Sequence, residues 1–387
     1  MTRTHHANSL DPMTPRQRVL AVLALKEPDR IPFFEDFFDI EAEGKFIPEF
    51  SGLIARGTRP AERTDPVLTI EMLRFLDRDV AEAGSARLQA EVVREDDREQ
   101  VLRFENGALW RYTKHPANAQ PLRLPLEGGG DPAQVPMPNP HDPRRYEAIA
   151  KSAPLLKDAG YFTIVKLHGF FAGAHYLFRP FESFLMDMAT DESYADAIIG
   201  RVGDHTLACA EAVLKIGVDC LFIGDDLGST NSLLISPKMY RRFVQPWHAR
   251  LAELCHAYGA FLHVHSHGHI MPIMDDLMDA GIDMMDPLGP TDGIDLDRLL
   301  ARYAGRMVIA GGISKFIGRM SLAELDEHLR QVVSVGARHG SFILRSEGGV
   351  PPEMSHEAFR FYLSKGREYR ERWRELRGLG PTSRGLA

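Results

Sequence analysis

From residue 144 onward, short apolar runs alternate with longer stretches whose apolar positions recur at helical spacing. The runs are Phe162 to Leu167, Cys220 to Ile223, Phe261 to His265, Ile282 to Met285, Met307 to Ala310 and Ser341 to Leu344. A continuous apolar run of this length, bounded by helical segments, is what a parallel strand buried on both faces requires. An earlier run, Ile31-Pro32-Phe33-Phe34, makes seven candidate strands, with an eighth left unplaced. Strands that alternate with helices predict βαβ units, and right-handed crossovers close such a sheet into a (β/α)8 TIM barrel. A helix is predicted from Pro15 to Leu25, with Thr14 and Gln17 as its capping box and Pro15 at its first position. Within Val101 to Tyr112, Asn106-Gly107 between apolar flanks predicts a hairpin. Gly128 to Pro143 reads as a surface connection. The expected organisation is one barrel over residues 1–387, with an N-terminal helical segment and a hairpin-containing insertion at about 45–143.

The residues just past the end of each run separate a barrel from an open doubly wound sheet. The runs lead into Glu35-Asp36, His168-Gly169, Asp225-Asp226, His265-Ser266-His267, Asp286, Gly311-Gly312 and Ser346-Glu347. Chemically able residues at every strand end fit a barrel, whose site is built from all its strand C-termini. A doubly wound sheet concentrates such residues at one switch point.

Composition narrows the function classes. The 387 residues carry 46 Lys+Arg against 54 Asp+Glu, a formal net charge of −8, and 44% of them are apolar. A globular chain with this acidic balance and no long basic block lacks the footprint of a nucleic-acid binder. Three cysteines without CxxC spacing exclude a disulfide scaffold or Cys-rich zinc module and point to a reducing compartment. Met1 to Asp11, with His5 and His6, has no apolar signal core, and no window is long and apolar enough for a membrane span, so the expected location is the cytoplasm.

Four of the 16 histidines fall at 263, 265, 267 and 269. On a strand His263, His265 and His267 share a face. His265 and His267 near a barrel mouth offer nitrogen ligands to zinc or another divalent metal, although each histidine taken singly reads more readily as an ordinary hydrogen-bonded residue than as a ligand. Asp225 and Asp226 face opposite ways, so one of them enters the mouth and the other caps a loop or orients a histidine. Glu347, in a glycine-rich turn, is a candidate third ligand or general base. Glu35 is a candidate acid or base, and Phe34, His168 and His263 are candidate substrate contacts. Met239, Tyr240, Phe243 and Val244 read as core. Phe33, Phe34, Phe37, Phe38, Phe170 and Phe171 near the expected mouth hint at an apolar or aromatic substrate. No GxxxxGK[ST] loop and no GxSxG elbow occurs.

These motifs resemble the uroporphyrinogen decarboxylase superfamily, and its corrinoid-linked methyltransferase-like branch in particular. The resemblance is carried by Thr14 to Leu20 with Lys26 to Pro32, Tyr176 to Glu182, Gly224 to Gly228 with Ser236 to Tyr240, His265 to Gly268 with Gly281 to Pro287, Gly311 to Ile313, and Ser346 to Pro352. It implies a (β/α)8 barrel with its site at the strand C-termini. In methyltransferase relatives the motif reads His-x-Cys-Gly and binds zinc with a later Cys. Here His265 matches the His, His267 replaces the Cys, and Glu347 stands near the late Cys, which gives a harder ligand set than thiolates. True decarboxylases carry an Arg-rich segment after the first strand, where this chain has Phe34-Glu35-Asp36-Phe37-Phe38-Asp39, and carboxylates there repel a polycarboxylate.

The reading that results is a metal-assisted methyltransferase. It takes a methyl group from a small methoxylated or methylamine-type substrate and passes it to a corrinoid protein, because the chain has no Asp-x-His-x-x-Gly cobalamin motif of its own. Asp225 or Asp226 orients ligands or protonates the leaving group. The rivals are cofactor-free porphyrinogen decarboxylation, a non-catalytic ligand-binding barrel and a metal-dependent hydrolase.

Overall fold

Strands β1 (Val80–Ser85), β6 (Phe162–His168), β7 (Cys220–Gly224), β8 (Phe261–His265), β9 (Met284–Leu288), β10 (Val308–Ile313) and β11 (Phe342–Ser346) form one curled parallel sheet, in the order β1-β6-β7-β8-β9-β10-β11. The structure is a computed structural model that describes residues 12–38, 40–53, 66–114 and 117–378. His5, His6 and Asp39 lie outside the described residues. Six of the predicted runs are strands of this sheet, with bounds that differ by up to three residues, as expected where boundaries are read from apolar content alone. One sheet face gathers Phe34, Val80, Phe162, Ile164, Cys220, Met284, Val308, Ala310 and Ile343 into an inner core, with Val19 and Val22 packed against them. The other face packs on the helices that connect the strands.

The prediction is corrected at the sheet's two edges. Ile31 to Phe34 forms a single parallel bridge, Phe33 to Leu344, instead of a strand. Leu344 N donates to Pro32 O at 2.9 Å and Phe34 N to Leu344 O at 3.1 Å, while Asp79 N donates to Phe33 O at 2.8 Å. Pro32 has no N–H to extend a ladder, which keeps the pairing short. The seventh full strand is β1, which escaped sequence reading because its residues, VAEAGS, are neither a continuous apolar run nor a regular alternation. Its register slips between Glu82 and Gly84, where Gly84 has φ 139°.

Strands β2 (Ala90–Glu95), β3 (Glu99–Phe104), β4 (Leu109–Lys114) and β5 (Ala117–Arg123) form a separate antiparallel sheet in sequential order. Asn106-Gly107 makes the β3–β4 turn: Gly107 takes φ 87°, and buried Asn106 donates from Nδ2 to Leu177 O at 2.7 Å, tying the turn to the main body. The first helix, Pro15–Leu23, has the predicted reciprocal capping box of Thr14 and Gln17. Among the described residues no helix is long and apolar enough to cross a membrane. Cys209, Cys220 and Cys255 are buried thiols.

Three buried histidines make the fold acid-sensitive. Burial pushes His175, His205 and His328 down to about 4 from the usual 6.5. The unfolded chain therefore binds more protons than the native one between about pH 6.5 and 4, so these groups support stability above 6.5 and withdraw it as the pH falls, by up to about 1.4 kcal/mol per pH unit each. His328→Gln keeps an acceptor for Ser314 N, which His328 Nε2 holds at 3.0 Å. The variant is expected to flatten the decline in Tm between pH 6.5 and 4.5. A decline as steep as in the parent would show that His328 does not contribute.

Candidate metal centre and cavity

Strand register lines up the polar strand ends. His168 pairs with Gly224, Gly224 with His265 and His265 with Asp286, forming one row across four neighbouring strands. Above this row lies a cavity of about 490 Å³, lined by strand-end residues and by the antiparallel sheet. The loops after β7 and β8 touch backbone to backbone at Gly228 and Gly268, where a side chain on either glycine would overlap the other. That contact brings Asp226 beside the histidines, and His267 N donates to Asp226 Oδ1 at 3.1 Å.

One ligand atom from each of Asp226, His265 and His267 can be chosen so that all three lie within 4.8 Å of one another. The two imidazoles meet edge to face with centroids 4.7 Å apart. Fully buried Asp286 orients His265 from behind. Its Oδ2 accepts from His265 Nδ1 at 3.1 Å, which fixes the proton on Nδ1 and leaves the Nε2 lone pair, 3.8 Å from Asp226 Oδ1, for a ligand. Asp286 Oδ1 also lies 2.6 Å from His263 Nε2, and Arg345 Nε lies 2.8 Å from Oδ2. Burial opposes the Asp286 charge, but Arg345, His265 and His263 outweigh it and hold the carboxyl well below the usual range. Burial, together with the neighbouring His265, lowers His267, so its ring is neutral at pH 7 as ligation requires. Two nitrogens and one carboxylate oxygen beside a cavity fit a divalent ion with an open position.

The other predicted residues fall elsewhere. Asp225 is fully buried and accepts from Phe170 N at 3.0 Å, Ala172 N at 2.8 Å and His248 Nε2 at 2.8 Å. It holds the start of the helix Phe171–Leu177 and does not line the cavity. Its assignment as an acid at the mouth is therefore replaced by a structural role. Asp225→Ala strands two buried N–H groups and is expected to cost about 2–5 kcal/mol by chemical denaturation. A loss under about 1 kcal/mol would contradict that role.

Glu347 lines the cavity but lies outside the ligand cluster. Its Oε1 accepts from Thr291 N at 2.9 Å, and Thr291 Oγ1 donates to Oε2. Asp226 thus replaces Glu347 as the carboxylate of the candidate metal set. Burial raises the Glu347 carboxyl, with the Thr291 bonds opposing. Glu35 points away from the cavity into a pocket of Ser346 and Tyr362 hydroxyls, and burial raises its carboxyl against those bonds. Phe34 and His263 are buried beneath the row, in the inner core, where the Arg345 guanidinium lies 4.0 Å from the Phe34 ring centroid. Neither is a substrate contact in this arrangement. His168 does line the cavity, and its Nε2 accepts from Leu88 N at 2.8 Å. Of the six phenylalanines expected near the mouth, only Phe37 lines the cavity. Phe33, Phe34, Phe170 and Phe171 are core, and Phe38 is 60% exposed outside the cavity.

Sequence reading set Asp36 among the polar strand ends without giving it a role, and it missed Arg87, Lys166, Arg345, Trp110, Tyr112 and Tyr176; all seven line the cavity. Arg345 and Lys166 are charges inside otherwise apolar strands, a signal that was present in the sequence. The aromatic wall comes from the antiparallel sheet, whose placement no local pattern reveals. The buried chain from Tyr240 OH to His248 Nδ1 at 3.0 Å and on to Asp225 was equally invisible.

A parallel α/β sheet with its charged row and cavity at the strand carboxyl ends is the architecture of an enzyme domain. A family model described as uroporphyrinogen decarboxylase (URO-D) matches residues 114–369, more than half of the chain, and the chain belongs to that family. A uroporphyrinogen decarboxylase from Arthrobacter sp. (strain FB24) is 29% identical over 114 residues, which is 30% of this chain and 32%, about one third, of that protein's length. Among solved structures, a methyltransferase from Methanosarcina mazei matches 92% of this chain and 99% of its own, with a TM-score of 0.65 and 14% identity. A B12-independent methionine synthase from Shewanella sp. W3-18-1 matches 78% of this chain and 85% of its own, with a TM-score of 0.45 and 13% identity.

Proposed function

We propose that this chain is a metal-assisted methyltransferase that moves a methyl group from a small methoxylated or methylamine-type substrate to a corrinoid carried by a separate protein. The observation that carries the reading is the Asp226–His265–His267 cluster at the cavity, backed by Asp286. The similarity in fold to a methyltransferase over 92% of the chain supports it. Zinc or another divalent ion held by these three residues would supply Lewis acidity toward the heteroatom that bears the methyl group.

The remaining roles belong to the chain's own side chains. Asp286 keeps His265 in one tautomer, and Arg345 keeps Asp286 ionised. Glu347 lines the same cavity and, in this reading, returns a proton to the heteroatom as its bond to carbon breaks and the heteroatom keeps the electron pair. In the same reading Ile31 to Phe34, bonded to β11 and to Asp79 next to β1, is the eighth stave that closes a (β/α)8 barrel, and the β2–β5 sheet is an insertion on that single domain.

Porphyrinogen decarboxylation fits less well. Asp36, Asp226 and Glu347 stand in the wall against Arg87, Lys166 and Arg345, which leaves no cationic surplus for a substrate with many carboxylates. The test is single-turnover methylation of cob(I)alamin by methoxylated and methylamine compounds. Metal-dependent formation of methylcobalamin is the expected result. Metal-independent decarboxylation of a porphyrinogen would overturn the reading.

A further inference from the structure

Asp225 ties together separate stretches of the chain. Its carboxylate accepts from Phe170 N, Ala172 N and His248 Nε2, and its own N donates to the backbone O of His265 at 2.9 Å. A carboxylate oxygen only accepts, so His248 carries its proton on Nε2, and Nδ1 is the acceptor for Tyr240 OH at 3.0 Å. Tyr240, His248 and Asp225 are all fully buried, and each of their polar side-chain atoms has a partner.

The pairing of Tyr240 with His248 depends on an irregular turn. At about 100° per residue, positions eight apart on a regular α-helix point about 80° away from one another. Tyr240–Val244 is instead a π-helical turn, closed by Gln245 N on Tyr240 O, and it leads straight into the helix Gln245–Ala257. The extra residue in that turn brings Tyr240 and His248 onto one face. Such turns are rare in helices and frequent at functional sites.

On its other side the hub has no slack. Gly169, Ala172 and Gly173 line the cavity, and a Cβ on Gly169 would lie 2.2 Å from Gly224 O and 2.5 Å from Asp225 Oδ1. Asp226, the next residue, and His265, held through its carbonyl, are two of the three candidate ligands. A displacement of Asp225 therefore carries both with it.

We propose that His248 and Tyr240 are positioning residues which, acting through Asp225, set the spacing of Asp226 and His265 that a divalent ion needs, a role that rests on the metal reading of that cluster. Titration of the full chain with Co(II) tests it, because the visible absorption bands of the bound ion report ligand geometry. Chemical denaturation of the same samples reports stability. His248→Leu is expected to lower Co(II) affinity at least about fivefold and to shift the bands, a smaller loss than the 10–100-fold of a direct orienting partner. His248→Gln, which keeps an N–H for Asp225, is expected to restore most of the affinity. Val213→Ala, a buried truncation in the last turn of the helix Glu192–Leu214, is expected to lose stability and leave Co(II) binding unchanged.

A loss below fivefold in His248→Leu, or an equal loss in His248→Gln or Val213→Ala, would overturn the proposal. If His248→Leu does not fold, Tyr240→Phe decides: at least a twofold loss is expected, and a smaller one contradicts it. No Co(II) uptake by the wild type, or equal uptake by His265→Ala, would overturn the metal reading and this role together. Uptake lost in His265→Ala but untouched in the His248 variants would overturn this role alone.

Discussion

Alanine in place of His265 is expected to cut divalent-metal affinity by more than 100-fold and to slow methyl transfer by about a thousandfold, with little change in folding. His265 sits at the end of β8 with its side chain 20% exposed, so its removal leaves no large cavity in the core. In the proposed metal set it removes one of three ligand atoms, and losing only a residue that orients a ligand already costs about 10–100-fold in affinity. The rate loss corresponds to about 4 kcal/mol of Lewis-acid stabilisation. Equilibrium dialysis against zinc, paired with single-turnover kinetics, checks both numbers. Unchanged zinc affinity in the variant would remove His265 from the site.

Asp286 is expected to give the second large effect, one that separates charge from shape. Asp286→Ala leaves the Arg345 guanidinium and two imidazoles around a buried void and should cost about 3–5 kcal/mol of stability. Asp286→Asn keeps the shape but removes the charge that holds His265 Nδ1–H. It should fold, with metal affinity lowered by about 10–100-fold. Chemical denaturation measures the first effect and metal titration the second. If the Asn variant matched wild type in metal affinity, Asp286 would be a packing residue only.

Legibility in the sequence tracked the range of the forces involved. The capping box of Thr14 and Gln17, the Asn106-Gly107 turn and the six apolar strand runs are decided by neighbours within a few residues, and each was readable. The pairing of His265 with His267 was suggested by spacing, although β8 ends at His265 and the contact is made by the loop beyond it. Which of Asp225 and Asp226 faces the cavity was not readable, because strand parity separates the two without saying which is inward. That choice is made by the Phe170 and Ala172 amides and by His248, all distant in sequence. Glu347 lies outside the candidate cluster for a similar reason: Thr291, 56 residues away, bonds its carboxylate. The aromatic cavity wall depends on how the β2–β5 sheet sits over the strand ends, a packing outcome with no local signature.

The most direct test of the central claim is an anomalous-scattering map from crystals of the zinc-loaded protein, recorded on both sides of the zinc absorption edge. The account predicts one strong peak about 2.0–2.1 Å from His265 Nε2, a His267 ring nitrogen and an Asp226 oxygen. Well-occupied zinc elsewhere, with Asp226, His265 and His267 bare, would contradict it.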